Sequence, residues 1–142
     1  MNNFKKLLQL SAFEKKLLFN VIITSIWIKI IVLFFPLRWY AKILGIEHAV
    51  SSEDSINTDH IVFKISQAMI RCRKLLPWNP NCLVEAITVK IILNHRGITS
   101  TLYLGVTKEN GNMKAHAWLR CGTIYVTGKR GMGKFMVVST FA

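Results

Sequence analysis

Residues 77–86, Pro77-Trp78-Asn79-Pro80-Asn81-Cys82-Leu83-Val84-Glu85-Ala86, carry the turn on which this chain is organised. Two prolines fix a short rigid loop, and Cys82 then opens an apolar run. Leu83, Val84, Ala86, Ile87, Val89, Ile91, Ile92 and Leu93 leave that run apolar on most sides. This pattern predicts a helix over about Cys82–Arg96 at the centre of the fold, closed by Gly97. The period then changes. Leu102, Leu104 and Val106 alternate with Thr101, Tyr103 and Gly105, so residues 99–106 read as a strand. Lys108 to Asn112 contains Glu-Asn-Gly, a hairpin signal. Strands over Lys114–Arg120, Thr123–Thr127 and Phe135–Phe141 follow, and Gly128, Gly131 and Gly133 make a loose basic loop before the last. The expected layout is α+β, helices on one small antiparallel meander.

Outward from this centre, residues 1–46 read as an apolar helical arm. Ser11 and Glu14 form a capping box, each satisfying a free backbone N–H at a helix start. The apolar run Leu17–Phe35 has 19 residues, about the length that crosses a bilayer. Asn20 and Lys29 interrupt it, and a Lys in mid-helix costs roughly 2.5–3.5 kcal/mol on insertion scales. The alternatives are a packing helix or partner surface, interfacial membrane contact, and a true span. Pro36 and the basic-aromatic stretch Leu37-Arg38-Trp39-Tyr40 follow, and Gly45 ends the segment. Residues 47–59 are polar and hold four of the seven acids, which predicts an exposed linker. Asp59 is then expected to cap a helix over His60–Leu75, with Ile61, Ile65, Ala68, Met69 and Cys72 on one face. Residues 60–142 are expected to form the catalytic domain.

With 142 residues the chain suffices for one compact domain. Its 19 basic and 7 acidic residues give a formal charge of +12, which favours anionic partners. After Glu109 there is no acid, while Lys114, Arg120, Lys129, Arg130 and Lys134 follow. No RNA-binding motif with interleaved aromatics is present, so nucleic acid is not expected as a partner. Three cysteines without a CxxC argue against a disulfide scaffold and suit a reducing, cytoplasmic compartment, with membrane association left open. The apolar run starts late and lacks a small-residue cleavage site, so it is not read as a secretory signal.

The chemistry lies in Cys82 and in His116, within Ala115-His116-Ala117-Trp118. A thiol ionises more readily at a helix start, where free N–H groups and partial positive charge favour thiolate. An imidazole on a later strand can take its proton. The same N–H groups can stabilise an oxyanion, a term of roughly 3–4 kcal/mol per donor, and Asn79, Asn81 or the Trp78 indole are further donors. Trp118 is expected to share a sheet face with His116. Cys72 and Cys121 read as packed thiols. His48, His60 and His95 have no partner pattern. Cys72, Cys82, Cys121 and His116 have zinc-ligating chemistry but no finger spacing, so neither a metal nor any other cofactor is expected.

These residues carry a resemblance. Asn81-Cys82-Leu83-Val84-Glu85-Ala86, then Arg96-Gly97-Ile98-Thr99-Ser100-Thr101-Leu102-Tyr103-Leu104-Gly105-Val106, then His116-Ala117-Trp118-Leu119, with the ending Val137-Val138-Ser139-Thr140-Phe141, resemble the lasso-peptide biosynthesis B2 proteins. The resemblance covers about residues 60–142. It implies a transglutaminase-like, papain-like fold, with the Cys on a central helix and the His on the sheet. It implies a cysteine peptidase that removes the leader from a ribosomally made precursor peptide, Cys82 as nucleophile and His116 as general base. The implied partners are the precursor, a separate leader-binding protein of the split type, and an ATP-using, asparagine-synthetase-like cyclase.

The family triad ends with an Asp on or after the strand following the His, but residues 120–129 hold no carboxylate here. A Thr123 or Thr127 hydroxyl, a carbonyl, or an acid from elsewhere (Glu85 or Glu109) remain as the group that orients the imidazole. Glu85, one turn after Cys82, reads first as a helix cap. The competing function is a non-catalytic basic module, in which the Lys129–Lys134 loop and the Arg38–Lys42 arm hold an acidic peptide or a membrane.

Overall fold

The computed structural model describes residues 2–45, 47, 50, 59–78 and 81–142. The helices are α1 (Asn2–Leu8), α2 (Ala12–Phe34), α3 (Leu37–Tyr40), α4 (Asp59–Leu75) and α5 (Cys82–His95). The strands are β1 (Thr101–Glu109), β2 (Asn112–Cys121), β3 (Ile124–Thr127) and β4 (Met136–Phe141). This is the expected α+β architecture, helices packed on a four-stranded antiparallel sheet.

Local chemistry sets the element ends. At α2 the capping box is formed: Glu14 N–H donates to Ser11 Oγ at 3.2 Å, and Ser11 N–H donates to Glu14 Oε2 at 3.0 Å. Helix α5 ends where Ile98 N–H reaches back to Leu93 O and Gly97 N–H to Asn94 O, which satisfies two terminal carbonyls. The β1–β2 turn places Asn110 and Gly111 at φ of 52° and 80° between the paired residues Glu109 and Asn112. Two consecutive positive φ values match the right-handed twist of the strands they join.

Three layers result. The sheet forms one side, α4 and α5 lie on it, and α2 lies across both helices. Helix α5 is buried continuously from Val84 to Lys90. Helix α4 contributes Val62, Ile65, Ala68, Met69 and Cys72; Val62 takes the buried place expected of Ile61, which is only partly covered. From α2, Leu17, Leu18, Val21 and Ile28 join the same core, each burial contributing roughly 1.5–3 kcal/mol. Where the three helices meet the residues are small. Ser25 Oγ donates to Thr88 Oγ1 at 3.5 Å and accepts from Cys72 Sγ at 3.8 Å. Burial pushes the Cys72 thiol up, as it does that of Cys121. Of the polar stretch 47–59, only Glu47, Val50 and Asp59 are described, so the expected linker lies largely outside the described residues. Asp59 is the first residue of α4.

The sheet departs from a simple meander. Its order is β3-β2-β1-β4, so the last strand pairs with β1. The eight residues from Gly128 to Phe135 carry the chain back over the sheet, and β4 covers the edge of β1 that a meander would leave open. Short β3 is left as the edge on the other side.

One buried group was not foreseen. Lys90, in the middle of α5, is 1% exposed, and its Nζ donates to Ser100 O at 2.7 Å. Burial pulls its pKa down to about 8 from 10.5. Between those pH values the unfolded chain holds the proton and the folded chain does not, so stability rises with pH across that window. Below about pH 8 the penalty of the buried charge is constant. Urea unfolding followed from pH 8 upward is expected to show this rise, on the order of 3 kcal/mol in total. Lys90→Met should lack it. An equal rise in the variant would assign it to other groups.

Candidate active site

Asn81 begins α5. With φ −72° and ψ 165° it stands outside the helix, and its Oδ1 accepts from Val84 N–H at 2.9 Å. Glu85 N–H donates to Asn81 O at 3.1 Å, which starts the ladder. The N–H groups of Cys82 and Leu83 therefore head the helix with no helical carbonyl behind them. Cys82 itself is half-buried, whereas Cys72 and Cys121 are fully buried.

The Glu85 side chain does not cap the helix, as the sequence had suggested. Its two oxygens accept from Arg73 Nε and Nη2 at 2.6 and 2.7 Å. The carboxylate side chain is 6% exposed and its partner 49% exposed. The ion pair fastens α4 to the first turn of α5, one turn from the sulfur. A buried carboxylate needs such a bidentate partner, and Asn81 has already taken the capping role.

His116 projects from β2 with Trp118, two residues on, sharing its face as expected. Its ring lies 5.7 Å from the Trp118 ring and 5.0 Å from that of Phe135, on the segment returning from β3 to β4. Tyr103, cross-strand from Trp118, stacks on the indole at 5.6 Å. Across from His116 stands Gly105. A Cβ there would come within 2.8 Å of the Trp118 ring and 2.9 Å of Phe135 Cβ, so the aromatic packing beside the imidazole depends on the missing side chain.

The group that orients the imidazole is a carbonyl. His116 Nε2 lies 2.7 Å from Gly128 O. A carbonyl only accepts, so this contact assigns the proton to Nε2 and leaves the Nδ1 lone pair as the basic site. The acids weighed from the sequence are engaged elsewhere. Glu85 is paired with Arg73, and Glu109 pairs with Lys114 at 2.8 Å beside the β1–β2 turn. Thr123 is exposed. Thr127 Oγ1 is buried and has no hydrogen-bond partner. Of the further donors named above, Asn81 caps α5 through its oxygen, a contact that does not engage its amide NH₂; the Trp78 ring face receives the Lys29 ammonium at 4.2 Å; and Asn79 lies outside the described residues.

Cys82 and His116 border the same two clefts, although no direct hydrogen bond joins them. One cleft, of about 580 Å³, is also lined by Arg73, Glu85, Tyr125, Thr127, Lys129 and Arg130. The other, of about 460 Å³, is lined by Leu83, Leu104, Val106, Ala115 and Val138 and is almost wholly apolar. The two side chains stand where a basic cleft and an apolar cleft meet. An extended chain laid through both would pass them. The zinc alternative is not assembled: among the described residues no three His, Cys, Asp or Glu side chains come together. His60 and His95 are exposed, and His48 lies outside the described residues.

Sequence reasoning had no means of finding Gly128, since every residue carries a carbonyl and only the fold aims one. Arg73 and Phe135 were missed for a related reason. Their partners, Glu85 and His116, lie 12 and 19 residues away in the chain, and no local spacing links them.

A family model described as the transglutaminase-like superfamily matches residues 31–140. No curated protein and no solved structure matches the chain.

Proposed function

The chain belongs to the transglutaminase-like superfamily, which includes cysteine peptidases, and from that membership we propose that it is a cysteine peptidase removing the leader of a ribosomally made lasso-peptide precursor. The observation that carries this reading is the shared border of Cys82 and His116 on two clefts, with Cys82 only partly buried at a capped helix start.

His116 Nδ1 takes the Cys82 proton as the sulfur attacks the amide carbon after the leader. The oxyanion that forms is met by the N–H groups heading α5. The imidazolium returns its proton to the leaving amine and the C–N bond breaks, which leaves a thioester. Water, deprotonated by the imidazole, then releases the leader acid and the free thiol. Gly128 O holds the ring in its productive tautomer throughout. A carbonyl dipole stabilises the imidazolium less than a carboxylate does, so the first proton transfer is expected to be less favourable than in a full triad.

The freed core amine is what an ATP-dependent, asparagine-synthetase-like cyclase then joins to a side-chain carboxylate. A separate protein presents the leader. Lys129 and Arg130 favour an acidic segment on one side of the scissile bond, and the apolar cleft favours an aliphatic side chain on the other. The same Lys129–Arg130 edge supports the second reading, a basic module that binds an acidic peptide without cutting it.

Purified chain, leader-binding protein and precursor, followed by mass spectrometry, are expected to give leader and core as two fragments. Prior treatment with iodoacetamide should modify half-exposed Cys82 before the buried Cys72 and Cys121, and cleavage should stop in step with that modification. Cleavage that continues with Cys82 fully alkylated overturns the peptidase assignment; binding without any cleavage favours the basic module.

A further inference from the structure

Helix α2 is apolar on two opposite sides, and only one of them is used. Its inner side, Leu17, Leu18, Val21, Ser25 and Ile28, is buried against α4 and α5. Its outer side carries Phe19, Ile23, Trp27, Ile30 and Phe34, spaced by three or four residues and therefore aligned as one stripe. Phe19 is 63%, Trp27 62% and Phe34 75% exposed. The stripe is about 22 Å long at 1.5 Å per residue. Beyond Pro36, Trp39 is also exposed, at 65%, its ring 5.8 Å from that of Phe35.

The distribution of charge says what covers this stripe. Lys29 is the only ionisable residue between Lys16 and Arg38, and it is turned onto the Trp78 ring at 4.2 Å. The stripe is therefore uncharged along its length. Basic residues border it instead: Lys16, His95 and Arg96 share a groove with Phe19 and Ile23. Residues 1–45 contain seven Lys and Arg and one acid, Glu14. An uncharged aromatic-aliphatic stripe rimmed by cations complements an anionic bilayer interface, where Trp sits at headgroup level and Lys and Arg reach phosphate.

An 18-residue stretch of the helix is long and apolar enough to cross a bilayer, with a mean hydropathy of 2.4. Its inner side argues against crossing. A span would strip Leu17, Leu18, Val21 and Ile28 from the core and part Ser25 from Thr88 and Cys72. We infer that α2 lies in the plane of an anionic lipid surface, its outer stripe at the headgroup–acyl boundary and its inner side still in the protein core. The sheet lies on the far side of α4 and α5 from α2, so such docking leaves the clefts at Cys82 open to a soluble peptide.

The test is flotation of the full chain with vesicles of phosphatidylcholine alone or mixed equally with phosphatidylglycerol. Binding is expected to the anionic vesicles and to weaken with salt. Trp27→Glu with Phe34→Glu should lower the bound fraction about tenfold or more, while circular dichroism and thermal unfolding stay as in the parent, because neither side chain is in the core. Lys16→Glu with Arg38→Glu should lower anionic binding and leave any residual binding to phosphatidylcholine unchanged. Anionic binding unaffected by the stripe variants overturns the inference. So does absence of vesicle binding in a chain that self-associates and is dispersed by Trp27→Glu, since the stripe would then be a protein contact.

Discussion

Cys82→Ala is expected to abolish peptide cleavage, by about 10⁴-fold or more, while the protein folds as before. The start of α5 does not depend on the sulfur: Asn81 makes the cap, and the Arg73–Glu85 pair ties the first turn to α4. The substitution removes one atom of a partly buried residue and leaves no buried partner unsatisfied. His116→Ala should give a loss of similar size, because a neutral thiol is a poor nucleophile. The double variant should be no worse than either single one, since residues that act as a unit are not additive. Rates on the cognate precursor, with far-ultraviolet circular dichroism as the folding control, decide the matter. A Cys82→Ala protein that cuts at the parent rate would end the assignment of the nucleophile. A double variant whose losses multiply would mean that the two side chains do not act in one step.

Gly128→Ala is expected to be nearly as damaging, although no side chain is removed. Gly128 has a φ of +69°, and a Cβ there would strike the Ala117 carbonyl oxygen and approach Trp118 Cβ at 2.8 Å and Trp118 Cα at 3.0 Å. Those atoms belong to the backbone of β2 or to the root of a buried side chain, so they cannot swing aside, and the Gly128 segment must move instead. Its carbonyl is the acceptor of His116 Nε2, and a displacement of about 1 Å at a reacting group can cost about 10²-fold in rate. Strain and imperfect repacking should lower stability by about 1–3 kcal/mol. Gly133→Ala is the control: its Cβ meets nothing within 4 Å, so rate and stability should hold. If Gly128→Ala lowers thermal stability but keeps the parent kcat, the carbonyl is not what positions the imidazole.

Much of the frame was legible because it is written in local chemistry. The α5 start follows from the two-proline loop and the apolar run that Cys82 opens, although its cap is Asn81 and not the expected Glu85; the β1–β2 turn follows from Asn110-Gly111, and the α2 start from Ser11 and Glu14. Each is settled within a short stretch of chain, so one sequence suffices to read it. The face of α4 was legible to within one position, Val62 in place of Ile61, because helical period fixes a stripe more firmly than its edge. Lys90 was not legible as buried: nothing in an apolar run shows that its long side chain will find Ser100 O in place of water.

The sequence by itself determined the elements, the residue types able to do thiol chemistry, and the lack of an Asp or Glu among residues 117–142. Periodicity, capping and turn preference act over a few residues and need no knowledge of the rest of the chain. Only the tertiary structure decided that β4 closes on β1, that Gly128 supplies the acceptor for His116, that Glu85 belongs to Arg73, and that α2 has one side in the core and one outside. These are contacts between groups far apart in the chain, and a backbone carbonyl or a helix side acquires a partner only when the whole core closes.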